Sequence, residues 1–247
     1  MRNRPAQVHR RTALWVAVCT LVAGSTVATI HASSEFSQGL LSRLFSRNEP
    51  LREYRAVRHM HAYSENMKHE ARMDAYTELK DGQLSYKIVS ESGSEAIRTR
   101  VLRSVLEREE DLINNGESAR GELSSANYEF TEGGRDEDGA RVVQIKPRRS
   151  DVLLVDGRAV LSDTGDLLRV EGKLSKNPSF WTSLVNIVRR YARIAGVRVP
   201  VATETTAKVK FVGNAQLDVV YDYQTINGHA VTVSERRSAG LSHISEQ

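Results

Sequence analysis

Along most of this chain apolar and polar residues alternate one by one, a period of two rather than the 3.6 of a helix. From 71 to 79, Ala71, Met73, Ala75, Thr77 and Leu79 fall on one side, with Arg72, Asp74 and Tyr76 on the other. That pattern predicts a strand with one dry and one wet face. The run from 55 to 63 alternates too, with Val57, His59, His61 and Tyr63 sharing a face. Asp81-Gly82 then supplies a hairpin turn, because Gly accepts the positive φ that tight turns need. Leu84, Tyr86 and Ile88 continue the alternation beyond it.

The period changes once in the middle of the chain. Ile97, Val101 and Val105, with Leu102, Leu106 and Ile113, recur at helical spacing, which predicts a helix over 95–115. Ser94 is placed to cap its start, and Asn114, Asn115 and Gly116 to end it. A single amphipathic helix between runs of strands has only the sheet to cover its stripe. Strands follow at 128–131 and 141–146 around a Gly-rich turn, at 152–155 and 159–161 around Asp156-Gly157, and at 167–174. More are predicted at 197–201, at 209–212 and 217–223 around Gly213-Asn214, and at 231–233 after Asn227-Gly228. The run 182–194 fits both periods: Leu184, Ile187, Val188 and Tyr191 suit a helix, and Val185, Ile187, Arg189 and Tyr191 a strand. Its density of Val and Ile, ahead of Ala195-Gly196, favours strand. The result is about eleven strands, mostly in hairpins, as in an open or closed meander.

The first residues have another character. Arg2, Arg4, Arg10 and Arg11 precede an uncharged run from Thr12 to Ile30, then Ala32, Ser33 and Ser34. Basic, apolar and small residues in that order predict an export signal over 1–32. The run is also long enough to stay in a bilayer as an anchor; Gly24, Ser25 and the small Ala28 and Ala32 favour cleavage. Arg10-Arg11 would suit twin-arginine export, but Ala13 and Leu14 follow where a bulkier apolar pair is usual. Residues 35–48 then read as a short amphipathic helix, with Phe36, Leu40, Leu41, Leu44 and Phe45 at helical spacing before Pro50. Residues 50–233 form the curved-sheet domain, and 234–247 a polar tail.

Charge and cysteine usage narrow the function classes. The chain's formal charge of +4 equals the four Arg of 1–32, and the remainder is neutral. Nucleic acid is therefore not an expected partner, since binding it requires a clustered positive field. The sole cysteine, Cys19, lies in the apolar run, so the exported part has no disulfide framework or thiolate site.

No catalytic motif emerges, and no cofactor or metal is expected. His59 and His61 share a strand face, with His69 across a hairpin, but no acid is expected at a matching position and Arg58 is adjacent. His69-Glu70 begins like a zinc-protease motif, yet Met73 stands where the second His belongs. Asp136, Glu137 and Asp138 before Gly139 lack the spaced ligands of a calcium loop. Gly172, inside a strand, points to close backbone approach or a bend, and Phe180-Trp181 places large apolar area beside a turn.

Three segments carry a resemblance: Val152-Leu153-Leu154-Val155-Asp156-Gly157; Gly165-Asp166-Leu167-Leu168-Arg169-Val170-Glu171-Gly172; and Tyr191-Ala192-Arg193-Ile194-Ala195-Gly196-Val197-Arg198-Val199-Pro200. With the layout of strands and inserted helix, they resemble the LolA-type and LppX-type lipoprotein carriers of the bacterial envelope. The resemblance implies a mainly β, α+β fold: a strongly curved antiparallel sheet, an incomplete β-barrel, covered by one long and one short helix. It also implies an apolar hollow that holds acyl chains. The expectation is thus an exported, non-enzymatic, periplasmic domain binding a lipid or lipoprotein acyl chain, with membrane contact through the N-terminal segment. The expected apolar contacts are Met73, Leu84, Tyr86, Ile88, Trp181, Leu217 and Tyr221. The alternative is an envelope scaffold protein with a filled core and no ligand.

Overall fold

The computed structural model describes residues 49–65, 68–180 and 182–239, with Gly39, Ser42, Leu44 and Phe45 before them. Residues 1–32, expected to be an export signal, and Trp181 lie outside the described residues. So does most of 35–48, although Gly39, Ser42, Leu44 and Phe45 are helical as expected.

The strands are β1 (Tyr54–Ser64), β2 (His69–Lys80), β3 (Gln83–Gly93), β4 (Tyr128–Arg135), β5 (Arg141–Pro147) and β6 (Val155–Leu161). They continue with β7 (Leu167–Leu174), β8 (Thr182–Ile194), β9 (Val197–Val209), β10 (Gly213–Ile226) and β11 (His229–Ala230). The ambiguous run at 182–194 is thus strand. Spatial order is β3-β2-β1-β10-β9-β8-β7-β6-β5-β4, with β11 paired to β10. Among the described residues, strands consecutive in the chain pair with one another except β3 and β4, and β1 with β10 joins distant segments. The edges β3 and β4 do not pair, so the sheet is the incomplete barrel that the resemblance implies. Register shifts at Asp74/Ala75, Val160/Leu161 and Arg190/Tyr191 are bulges, which bend strands and strengthen their twist.

Three tight turns follow their dipeptides. Asp81-Gly82, Ala195-Gly196 and Asn227-Gly228 all have positive φ at both residues, the conformation that joins twisted strands without splaying them. Asp156-Gly157 does not turn. It runs inside β6, and the turn lies upstream at 151–154. There the Asp151 carboxylate accepts from the Leu153 N–H at 3.1 Å. Gly157 sits opposite Gly172 of β7, so its role is to let two backbones touch. The strand expected at 231–233 is replaced by β11 and by a short helix, Val233–Ser238. A reciprocal cap starts that helix: Thr232 N–H donates to Glu235 Oε2 at 2.8 Å, and Glu235 N–H to Thr232 Oγ1 at 3.3 Å.

The inserted helix follows β3 and runs back along it, its far end returning to Leu84 near the start of that strand. It begins as α-helix (Glu95–Ile97), widens to π-helix (Arg98–Arg103) and resumes as α-helix (Ser104–Asn114). Ser94 starts it through its carbonyl, which accepts from Arg98 N–H at 2.9 Å, and its side chain makes no capping bond. The wide turn splits the apolar stripe read from the sequence. Leu102, Val105, Leu106 and Ile113 are buried on the sheet, together with Glu109, while Ala96, Ile97, Arg100 and Val101 face the space described below. At the far end the Asn114 amide behaves like a neighbouring strand: Leu84 N–H donates to its Oδ1 at 2.7 Å and its Nδ2 donates to Leu84 O at 3.0 Å.

The core has two halves. One gathers the helix with β1, β2, β9 and β10 around Met60, Met73, Leu102, Leu106 and Tyr223. The other gathers β4 to β9 around Tyr128, Ile145, Leu154, Leu161 and Val170, with Leu44 buried in it. Phe45 meets Phe130 edge-on at 5.6 Å.

Asp151 ties the loops of the second half together. Burial raises its pKa, but the Leu153 N–H and the Arg120 and Arg149 guanidiniums outweigh burial and hold it below the usual carboxylate value. A depressed folded pKa contributes stability above the unfolded value near 3.8, lost as pH falls through the lower folded value. In chemical denaturation at stepped pH, Asp151→Asn should therefore cost stability at neutral pH and progressively less below pH ~4. A pH-independent difference contradicts this.

Candidate functional site

The two core halves leave a cleft of about 230 Å³ between the helix and one end of the sheet. Its origin lies in the size of the inward-facing residues. Across the middle of the sheet, cross-strand rows are filled by Arg58 with Tyr221 and by Met60 with Val219. Towards the end of β1 the rows shrink: Ala62 pairs with Leu217 and Leu217 with Thr205; Ser64 pairs with Ala215 and Ala215 with Ala207. Small side chains there leave space that the helix roofs without filling. Thr182 and Val185 of β8 extend the floor, Ala96, Ile97, Arg100 and Val101 form the roof, and Pro178 and Val212 close one side. Among the described residues no Asp or Glu lines the cleft; His69 and Arg100 are the only ionisable lining groups besides Tyr63.

Close to this opening the chain exposes two aromatics. Phe180 is 79% exposed and Phe211 91%, and Lys210 Nζ lies 4.0 Å from the Phe180 ring centre.

The structure distributes the residues expected as apolar contacts. Leu217 lines the cleft. Met73, Leu84 and Tyr221 are buried in the first core half, and Tyr86 and Ile88 are half-buried against it. Tyr221 stacks on Tyr223 with ring centres 6.1 Å apart and lies under Arg58, whose guanidinium carbon is 4.9 Å from its ring centre. Burial, with the nearby Glu107 and Glu110, raises the Tyr86 pKa, which agrees with its place beneath the helix. Trp181 lies outside the described residues. The sequence reading missed Ala62, Ser64, Thr205, Ala207 and Ala215. Their inward alternation was available, but not which strands they would meet.

His59 and His61 pair with separate carboxylates. His59 Nδ1 lies 2.8 Å from Asp74 Oδ1, and Ser90 Oγ donates to Asp74 Oδ2 at 2.7 Å. His61 Nε2 lies 3.1 Å from Glu70 Oε2. An acid does therefore sit opposite His59, contrary to the sequence reading, because the β1–β2 register places Asp74 directly across from it, while Glu70 reaches His61 diagonally from its place across from Tyr63. Both pairs lie on the half-exposed outer face. Among the described residues no group of three His, Cys, Asp or Glu gathers to hold a metal. No helix among them is long and apolar enough to cross a membrane.

No family model matches the chain, and no curated protein matches it. Among solved structures it is similar to a putative outer membrane lipoprotein-sorting protein domain from Vibrio parahaemolyticus, at 11% identity and TM-score 0.42, over 82% of this chain and 97% of that one. It is also similar to a DUF1329 family protein from Desulfovibrio piger, at 12% identity and TM-score 0.38, over 76% and 90% of the two chains. A third similar structure is a LolA superfamily protein from Nitrosomonas europaea, at 11% identity and TM-score 0.35, over 80% and 95%.

Proposed function

We propose that this chain is an exported, non-enzymatic protein that binds a lipid or lipoprotein acyl chain in the cleft between helix and sheet. One observation carries the reading: a cleft walled by Ala62, Ile97, Val101, Val185, Ala207 and Leu217, with no acid in its lining among the described residues. Each methylene removed from water there contributes roughly 0.8 kcal/mol, so a segment of six gives about 5 kcal/mol without any polar motif. The volume, about 230 Å³, is below the roughly 300–1,000 Å³ of pockets for drug-sized ligands. It suits one stretch of one chain, with the rest of the lipid outside.

The N-terminal pattern supports a periplasmic or other extracytoplasmic site of action. If residues 12–30 are retained, they also give a membrane contact. Of the residues expected from the sequence, Leu217 touches the acyl chain. Met73, Leu84, Tyr86, Ile88 and Tyr221 act one layer back, holding sheet and helix together. Trp181 stands in the sequence beside the cleft residue Thr182.

Ala96 offers the test, because it is exposed and lines the cleft. Ala96→Trp should block the entrance without burying a charge. Mass spectrometry of organic extracts should find acyl lipid with the purified protein and several-fold less with Ala96→Trp, at unchanged circular dichroism. Equal lipid in both, or none in either, would refute the reading.

A further inference from the structure

We infer, on the basis of the acyl-chain reading of the cleft, that the occupant is a monoacyl phospholipid, its anionic head held at the rim by Arg100, His69 and Ser64 and its ester carbonyl held further in by Thr205. The charge comes first. Arg98 and Arg103 on the π-helical turn both pair with Glu91, at 2.6 and 3.2 Å. Arg100, on the same turn, has no ion pair or hydrogen bond among the described residues and stands over the cleft. His69, exposed like Arg100, lies directly across from Ser64 in the β1–β2 register. With no acid in the lining, this rim is a cationic, donor-rich edge on an apolar hollow, a setting for an anion attached to a chain.

The hydroxyls set the spacing. Ser64 and Thr205 are each 5% exposed, both line the cleft, and among the described residues neither Oγ of Ser64 nor Oγ1 of Thr205 has a hydrogen-bond partner. A buried hydroxyl left in that state carries an uncompensated desolvation cost, which a ligand oxygen removes by accepting from it. The two stand on β1 and β9 with β10 between them and one cross-strand row apart, so they are roughly 12 Å apart at about 4.8 Å per strand and 3.4 Å per residue. One carboxylate cannot serve both. A phosphodiester at the Ser64 end and an ester carbonyl near Thr205 can, and the single narrow cleft admits one acyl chain.

The test titrates the full chain with four C16 amphiphiles below their micelle thresholds: 1-palmitoyl lysophosphatidylglycerol, 1-palmitoyl lysophosphatidylcholine, palmitate and hexadecyltrimethylammonium. The lysophosphatidylglycerol should bind tightest and the ammonium weakest. Arg100→Ala should weaken the lysophosphatidylglycerol about tenfold and leave the ammonium unchanged. Thr205→Val should weaken it about fivefold, leave palmitate unchanged and raise Tm, since the unsatisfied hydroxyl is gone while the shape is kept. Equal affinity for all four would overturn the head-group assignment and leave the acyl-chain reading standing. No binding of any would overturn both. A Thr205→Val protein that binds both lipids as wild type does would overturn the ester assignment.

Discussion

Replacing Glu109 by alanine is expected to destabilise the fold by about 3–5 kcal/mol. Arg58 and Glu109 are 1% and 2% exposed, in the middle of the first core half. Arg58 meets both oxygens of the carboxylate, Nη1 with Oε2 and Nη2 with Oε1, the latter at 2.7 Å. Its Nη2 also donates to the Tyr54 hydroxyl at 2.7 Å. Burial pulls the Arg58 pKa down, yet Glu109, Tyr54 and Tyr221 outweigh it and hold the guanidinium well above the usual arginine value. Removing Glu109 leaves that cation without a counter-ion in a dry core. Removing both charges is a different experiment: Arg58→Met with Glu109→Leu should recover most of the loss. Urea denaturation of the two proteins checks this. A Glu109→Ala protein within about 1 kcal/mol of wild type contradicts it. Because the pair ties the helix to β1, roof to floor, the single variant should also retain less lipid.

Gly172→Ala is expected to cost about 3 kcal/mol or more, against the roughly 5–15 kcal/mol that hold a domain folded. A Cβ at Gly172 would stand 2.4 Å from Asp156 O and 2.7 Å from Gly157 Cα; one at Gly157 would stand 2.1 Å from Glu171 O. These are backbone atoms of the paired strand, so no rotamer change relieves the clash. The φ of Gly172, +154°, adds strain for any L side chain. The β6–β7 pair would have to separate at the centre of the second core half. Thermal unfolding should show a Tm fall of several degrees or failure to accumulate folded protein. A neutral substitution would mean that the strands can part cheaply there.

Much of the fold was legible because its signals are local. The alternation from Ala71 to Leu79 appears as a row of buried residues in β2, and turn dipeptides bend the chain whatever lies beyond them. Asp156-Gly157 misled because a Gly that permits a turn and a Gly that permits contact look alike until its partner, Gly172, is known. In β1 the dry face was hidden by charge. Arg58 lies between Ala56 and Met60 on the buried side, and only Glu109, from a helix more than four strand lengths later in sequence, makes that burial tolerable. The Thr232 to Glu235 cap is also local, a Thr followed three residues later by Glu.

The cleft was less legible than the sheet. Leu217 could be proposed as a large apolar residue on an inward face. Ala62, Ala207 and Ala215 carry no chemical signal by themselves, and they form an opening only because the register lines them up across β1, β10 and β9. The unpartnered hydroxyls of Ser64 and Thr205 are likewise ordinary residues in sequence.

The sequence by itself determined the period-two strands, the inserted helix, the turns at Asp81, Ala195 and Asn227, and the lack of net charge and of cysteine beyond residue 32. Backbone propensity and side-chain alternation act over a few residues, so they are written in consecutive positions. Only the tertiary structure decided which small residues share a row, which way the π-turn points Arg100, and that Arg58 finds Glu109. Those outcomes depend on contacts between segments far apart in the chain, where the size and charge of one side chain have meaning only beside the other.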